Sequence, residues 1–381
     1  MANILVSGPI IKYPWGGLMQ YWLAWLVGIK NNGHQVYYIE DSQWEGACYD
    51  VPRRTMGDDP SYGIGFLTRE LAPHGLDRNW CYVDYQGRHY GMSDTGFRAT
   101  VERADLLIDL EFDTLMPGLD NVPMRVYVDG DPGWIQHRVK KELLDAGKPL
   151  PQYHRHFTLG FNIGTPKAKA PDLGLVWHHT HPPVLIDGRP VPPADPRAPF
   201  TTVLKWQANH TFEYEGVVFG MKDREFDKFA DLPSRVDDVM EIAASGPNVP
   251  KGRIRDLGWS LKSADDITTS IDNYRNYIAG SKGEFTFVKN AFVETHCGMF
   301  LERSGYYMQS GRPVVLQDNG WSEHLPSGEG LFAVNCLEEA VAAIHAINDD
   351  YPKHCRRARE IVHDCLDATK VVGNVLRRIG V

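Results

Sequence analysis

Apolar residues along the chain fall into short blocks, and their lengths and spacing announce alternating strands and helices. Ile4-Leu5-Val6 closes on Ser7-Gly8, a run of the kind that forms a buried parallel strand. A Pro/Gly-rich loop from Pro9 to Gly17 follows. Leu18–Ile29, apolar nearly all round, then reads as a buried helix. Asn31-Asn32-Gly33-His34 stops that helix, with Gly33 just past its end. Val36–Ile39 is the next strand, with Glu40-Asp41 at its carboxyl end. Strand, glycine loop, helix and strand together make a βαβ unit, the opening of a doubly wound sheet. Leu106–Leu110 and Arg125–Asp129 continue the series, again with acidic residues at the strand ends, where open α/β sheets bind ligands.

Between residues 164 and 200 the periodicity fades and prolines crowd in (Pro182, Pro183, Pro190, Pro192, Pro193, Pro196, Pro199), the texture of a linker. A second alternating set then begins with a strand at Phe200–Leu204. It predicts helices from Glu225–Phe229 onward and near Val236–Ala244, a strand at Phe285–Val288 and a helix at Glu302–Gln309. A strand at Pro313–Leu316 and a helix at Leu337–Ile347 follow. The expected division is a first domain over 1–185, a Pro-rich linker over 186–199, a second domain over 200–355, and a helical tail over 356–381 that crosses back to the first domain.

Composition narrows the function classes. A chain of 381 residues suits two domains. Its formal charge of −9, with no long basic run, argues against a protein that wraps duplex nucleic acid non-specifically. The six cysteines show no CxxC pair and no zinc spacing. The opening residues lack a basic, apolar leader, and no stretch is long and apolar enough to span a membrane. A cytoplasmic location is expected. The histidines of His178-His179-Thr180-His181 match no standard metal-ligand spacing, Gly280-Ser281-Lys282-Gly283 is not a P-loop, and no GxGxxG follows the first strand.

The segment from Thr295 to Asp318 carries the most chemistry: a loop containing Gly298, a helix opening at Glu302-Arg303-Ser304, then Ser310-Gly311-Arg312-Pro313 turning into a buried strand. A helix N-terminus offers unpaired N–H groups and partial positive charge to a diphosphate, with Arg303 and Ser304 as further donors. Asp318, just past the strand, is placed to accept from sugar hydroxyls. For a base that takes a proton from an attacking hydroxyl, the first domain offers Asp109, Asp129, Asp131 and His156. Asp131, before Pro132-Gly133 in a sharp turn, is favoured over the others.

This segment resembles the donor-binding signature of GT-B glycosyltransferases, in which a small-Gly-x-Pro-Val-Val turn follows the diphosphate-binding helix. Gly280–Phe285 with Lys289-Asn290, Gly220–Phe226, Asp129–Gly133 and Leu325–Gly330 resemble a group of bacterial GT-B-like proteins, so the likeness spans most of the chain. It implies an α/β GT-B fold, two Rossmann-like doubly wound domains facing across a cleft. It also implies a metal-independent, hexosyltransferase-like enzyme moving a sugar from a nucleotide-sugar co-substrate, UDP favoured, with no other cofactor. The acceptor that the resemblance implies is a hydroxyl-bearing small molecule or a hydroxylated DNA base. A sugar-nucleotide epimerase and a non-catalytic sugar-nucleotide-binding protein are the alternatives. In the family picture Gly16-Gly17 approaches the donor phosphates from the first domain, Trp206 stacks a base or sugar, and Lys222 with Arg224 neutralises the diphosphate. Many retaining members carry two glutamates eight positions apart here. Aligned on the glycine turn, Tyr306 occupies the place of the second.

Overall fold

In the computed structural model, residues 1–112, 116–208 and 211–381 are described, Phe212 by its backbone alone. Two sheets dominate. The first has eight strands in the spatial order Trp177–His179, Arg155–Thr158, Met124–Asp129, Leu106–Asp109, Asn3–Ser7, Gln35–Asp41, Trp80–Val83 and His89–Tyr90. All pairings are parallel except the last. The chain leaves Asn3–Ser7 in one direction and returns to its other side through Leu106–Asp109, so the topological switch point lies between those two strands.

The second sheet has six parallel strands, ordered Ser260–Ser263, Met240–Ser245, Phe200–Lys205, Gly283–Thr286, Val314–Gln317 and Leu331–Val334. Its switch point lies between Phe200–Lys205 and Gly283–Thr286. Crevices open at such points, beyond the carboxyl ends of the strands.

The expected elements mostly recur, with two corrections. The segment expected as a helix near Val236–Ala244 is instead the strand Met240–Ser245, whose first five residues are buried. It pairs on both sides, with Phe200–Lys205 and Ser260–Ser263, and its small and apolar residues, Glu241 apart, suit a strand covered on both faces. The helix expected from Glu225 onward is only the single turn Asp223–Phe226.

Helix Gly16–Asn31 is buried along most of its length, between the first sheet and the C-terminal helix Ala368–Ile379. Gly28 makes that approach possible: a Cβ there would lie 2.7 Å from the Val372 side chain. Asn32 Nδ2 donates to the Thr369 carbonyl at 3.0 Å, and Arg378 donates to the His179 carbonyl at 2.9 Å. The chain's end is thus held against its beginning. Tyr306, buried on helix Glu302–Gln309, donates to the backbone carbonyl of Gln20 at 2.8 Å. In place of a ligand-binding glutamate, this position joins the two lobes.

Candidate active site

The cleft between the lobes holds two adjoining compartments, with Gly17, Leu18 and Glu302 lining both. One, of about 670 Å³, lies against the second lobe, where Lys205, Ser245-Gly246-Pro247, Asp265, Tyr274 and Arg303 line it. The first lobe contributes Tyr13, Trp15 and Tyr49. Tyr13 stacks on Trp15 with ring centroids 5.3 Å apart, and the Lys205 ammonium sits 5.3 Å from the Trp15 ring across the cleft. The other compartment, of about 500 Å³, lies against the first lobe and is lined by Trp22, Glu111, Tyr127, Asp131, Trp134, Arg138 and Lys289, among others.

Gly16 fits the role of a close-approach glycine, though toward protein. Its N–H donates to the Thr268 carbonyl at 2.7 Å, and a Cβ would come within 2.2 Å of the Ser270 carbonyl oxygen. The loop therefore docks on the second lobe, and Gly17 is the residue that faces both compartments.

Around Glu302 the second lobe gathers three cations. Arg303, nearly buried, donates to Glu284 at 2.6 Å and to Thr286 Oγ1 at 2.9 Å. Its guanidinium is raised above the ordinary arginine range: burial pulls it down, and the carboxylate of Glu284 more than compensates. Lys289 reaches across the cleft to Asp131 at 2.6 Å. Lys222 is buried with no ion pair among the described residues. Burial, and then the repulsion of Arg303 and Lys289, push its ammonium well below the usual lysine range. Ser304 Oγ is buried behind this cluster without a hydrogen-bond partner.

The carboxyl ends of the first-lobe strands carry the opposite sign. Asp109 is fully buried, accepting from the hydroxyls of Ser7 and Tyr153 and from the Glu111 N–H. Asp129 is also buried. It accepts from Gln136 Nε2, Thr158 Oγ1 and the Asp131 N–H, and burial pushes it up to about 6. Glu40, buried, takes the backbone N–H groups of Ile11 and Lys12 at 2.7 Å each, and burial lifts it to about 7. Half-buried Glu111 lines the cleft. Burial first, then Glu40, Asp109 and Asp41, push its carboxyl up to about 8 against the pull of Lys12.

Several sequence assignments are corrected. Asp109 and His156 do not line the cleft compartments. Asp109 lies beneath the floor with its oxygens engaged, and His156 sits between Tyr153 and Trp177 in the first-lobe interior. Burial lowers His156 to about 4. Trp206 is core, packed edge-on against Phe226 at 5.3 Å. The residue before it, Lys205, faces the cleft. Asp318 caps its own turn, accepting from the Gly320 N–H at 2.9 Å and the Ser322 hydroxyl at 2.6 Å. Gly298 makes an interlobe contact: its carbonyl accepts from the Phe161 N–H at 3.2 Å, and its φ of +76° favours glycine. Of the three clustered histidines, His179 bonds the Ile163 carbonyl, His181 packs on Phe161, and His178 meets Arg378. No group of three metal-ligating side chains occurs among the described residues. No described helix is long and apolar enough to cross a membrane.

The sequence reading gave no role to Glu302, Lys289 or Glu111, and had Lys205 only as part of the strand end Lys205-Trp206-Gln207 expected to face the cleft. A signal existed for the first: Glu294 and Glu302 are themselves eight positions apart, four residues earlier than the alignment on the glycine turn would place them. Glu302 faces the cleft, and Glu294 accepts from Asn290 Nδ2 at 3.2 Å.

No protein-family model and no curated protein matches the chain. Solved structures do. An alpha-glucosyltransferase in complex with UDP and a 13-mer DNA containing a HMU base aligns with a TM-score of 0.58 at 12% identity, over 100% of both chains. An alpha-glucosyltransferase in complex with UDP-glucose and DNA containing an abasic site aligns with a TM-score of 0.54 at 13% identity, over 100% of this chain and 99% of that one. The fold is GT-B. At such identity the likeness concerns architecture, and the two doubly wound lobes with their switch points facing one cleft are its physical content. Function has to be argued from the GT-B cleft itself.

Proposed function

We propose that this chain is a glycosyltransferase that binds a nucleoside diphosphate sugar, UDP favoured, in the compartment against the second lobe and transfers the sugar to a hydroxyl acceptor in the compartment against the first. The observation that carries the reading is the buried, unpaired Lys222 with Arg303 and Lys289 beside it. A buried lysine in a field of two other cations is poorly solvated and electrostatically unfavourable. A diphosphate relieves both problems, and the same cations then stabilise the charge that builds on it as the sugar leaves.

In the step itself the acceptor oxygen bonds to the anomeric carbon while the bond from that carbon to the diphosphate oxygen breaks. UDP departs with the electron pair, and the hydroxyl proton passes to the first-lobe carboxylate of the cleft, Asp131. Gly17 and Glu302, shared by both compartments, stand where donor and acceptor meet. The six cysteines are free thiols, in keeping with a cytoplasmic enzyme. The presence of a second compartment of comparable size favours transfer over epimerisation of the donor alone.

A melting-temperature screen with UDP, GDP, dTDP and CDP and their sugar forms tests the donor reading. A ligand that binds only the native state raises the melting temperature with its concentration. A shift with a uridine nucleotide is expected, and a folded sample that responds to none of them refutes the proposal.

A further inference from the structure

Among the described residues, five charged side chains line the first-lobe compartment: Glu111, Asp131, Arg138, Lys289 and Glu302. Asp131 and Lys289 pair with each other at 2.6 Å, and Glu302 lies in the field of Lys222 and Arg303. Two groups remain. Glu111, raised to about 8 by burial and its acidic neighbours, is mostly protonated near neutral pH. Arg138 has a buried Nε with no hydrogen-bond partner and makes no ion pair among the described residues. Its guanidinium is held over the Trp134 ring at 5.2 Å. Among the described residues the compartment is therefore left with one uncompensated cation, fixed on an aromatic face, in a cavity walled by Trp22, Tyr127 and Ile135.

A cation held in this way is a recognition element for an anion, and arginine's planar fork suits a carboxylate in two-point contact. Aromatic and aliphatic walls suit a flat apolar body. Resting on the transferase reading above, we propose that the acceptor is a hydroxylated aromatic acid, its carboxylate held by Arg138 and its hydroxyl turned toward Glu302 and the donor. The compartment's volume of about 500 Å³ suits such a small molecule, and the chain's −9 charge favours this small monoanion over a nucleic-acid strand.

The test pairs hydroxylated aromatic carboxylates with their carboxamides, which match them in shape and lack the charge. Each is titrated into the wild-type protein by calorimetry with and without saturating UDP, and incubated with UDP-glucose for detection of hexosyl adducts by mass spectrometry. Acids are expected to bind about tenfold or more tightly than their amides, the scale of a hydrogen bond to a charged group, and to be the compounds that gain hexose. Arg138→Met keeps an unbranched stem over Trp134 and removes the charge. It should erase the preference for acids while leaving the melting shift with UDP unchanged. Equal binding of acids and amides, no binding of any acid, or an acid preference that survives in Arg138→Met overturns the proposal. So does efficient glucosylation of a 5-hydroxymethyluracil oligonucleotide with none of the acids. Absence of a UDP shift refutes the donor reading instead, and the acid–amide comparison without UDP still decides the anion site.

Discussion

The two lobes share an architecture and carry opposite charges at corresponding places. Where the first-lobe strands end, Glu40, Asp41, Asp109, Glu111 and Asp129 crowd together, and three of them are pushed up to between about 6 and 8 by burial. Where the second lobe meets the same cleft, Lys205, Lys289 and Arg303 line it, and Lys222, buried beside Arg303 and Lys289, is pushed down by burial and by these cationic neighbours. Each lobe thus holds ionisable groups shifted from their ordinary range where the cleft opens. In the second lobe Lys222 has no carboxylate partner among the described residues, and the proposed diphosphate would supply an anionic one. The first holds carboxyls that burial makes harder to ionise. The contrast shows that a fold used twice acquires two roles through the side chains at its strand ends.

Breaking the positive side should have the largest effect. Glu284→Gln keeps a hydrogen-bond acceptor for Arg303 and removes its counter-charge, stranding a buried guanidinium. A loss of about 3 kcal/mol in denaturant-measured stability is expected, and a neutral result would mean that the arginine is better solvated than its burial indicates.

Lys222→Met should separate stability from function. Because folding lowers this ammonium's pKa, the unfolded chain binds more protons between the depressed folded value and the ordinary lysine value. Stability attributable to Lys222 therefore rises with pH across that window, and at neutral pH the residue is a burden. The variant should melt at a higher temperature than wild type without ligand, yet bind UDP about tenfold or more weakly by calorimetry. Wild-type UDP binding should also take up protons, visible as heats that depend on the buffer. A variant that binds UDP normally places the diphosphate elsewhere.

On the negative side, Glu111→Gln tests the raised carboxyl. A carboxyl whose folded pKa lies above its unfolded value adds stability that is fully present below about 4.5 and is lost as pH rises through about 8. The variant should flatten the fall in melting temperature between those limits, and an unchanged slope would show that Glu111 titrates normally. The smallest effect is expected at the bridge between the lobes. Asp131→Asn frees Lys289 from its carboxylate and lowers the repulsion of an incoming diphosphate, so UDP should bind a few-fold more tightly. Weaker UDP binding would mean that the Asp131–Lys289 pair instead holds the cleft in its binding shape.

What local pattern could specify, the sequence specified. Strand, glycine loop and helix at the start, the Pro-rich passage between the lobes, and helix Glu302–Gln309 with its turn into Val314–Gln317 depend on neighbours within a few residues, and all are present. Which side chains reach the cleft depended on tertiary structure. At the end of strand Phe200–Lys205, moving one position changes a cleft-facing Lys205 into a core Trp206, because successive residues of extended chain point to opposite sides. Met240–Ser245 became a strand because it is paired on both flanks, a fact absent from its own six residues. The pairs that define the site, Arg303 with Glu284 and Lys289 with Asp131 across 158 residues, are set by packing of the lobes. So are the raised and lowered proton affinities, since desolvation and neighbouring charge exist only once distant segments have closed around a group.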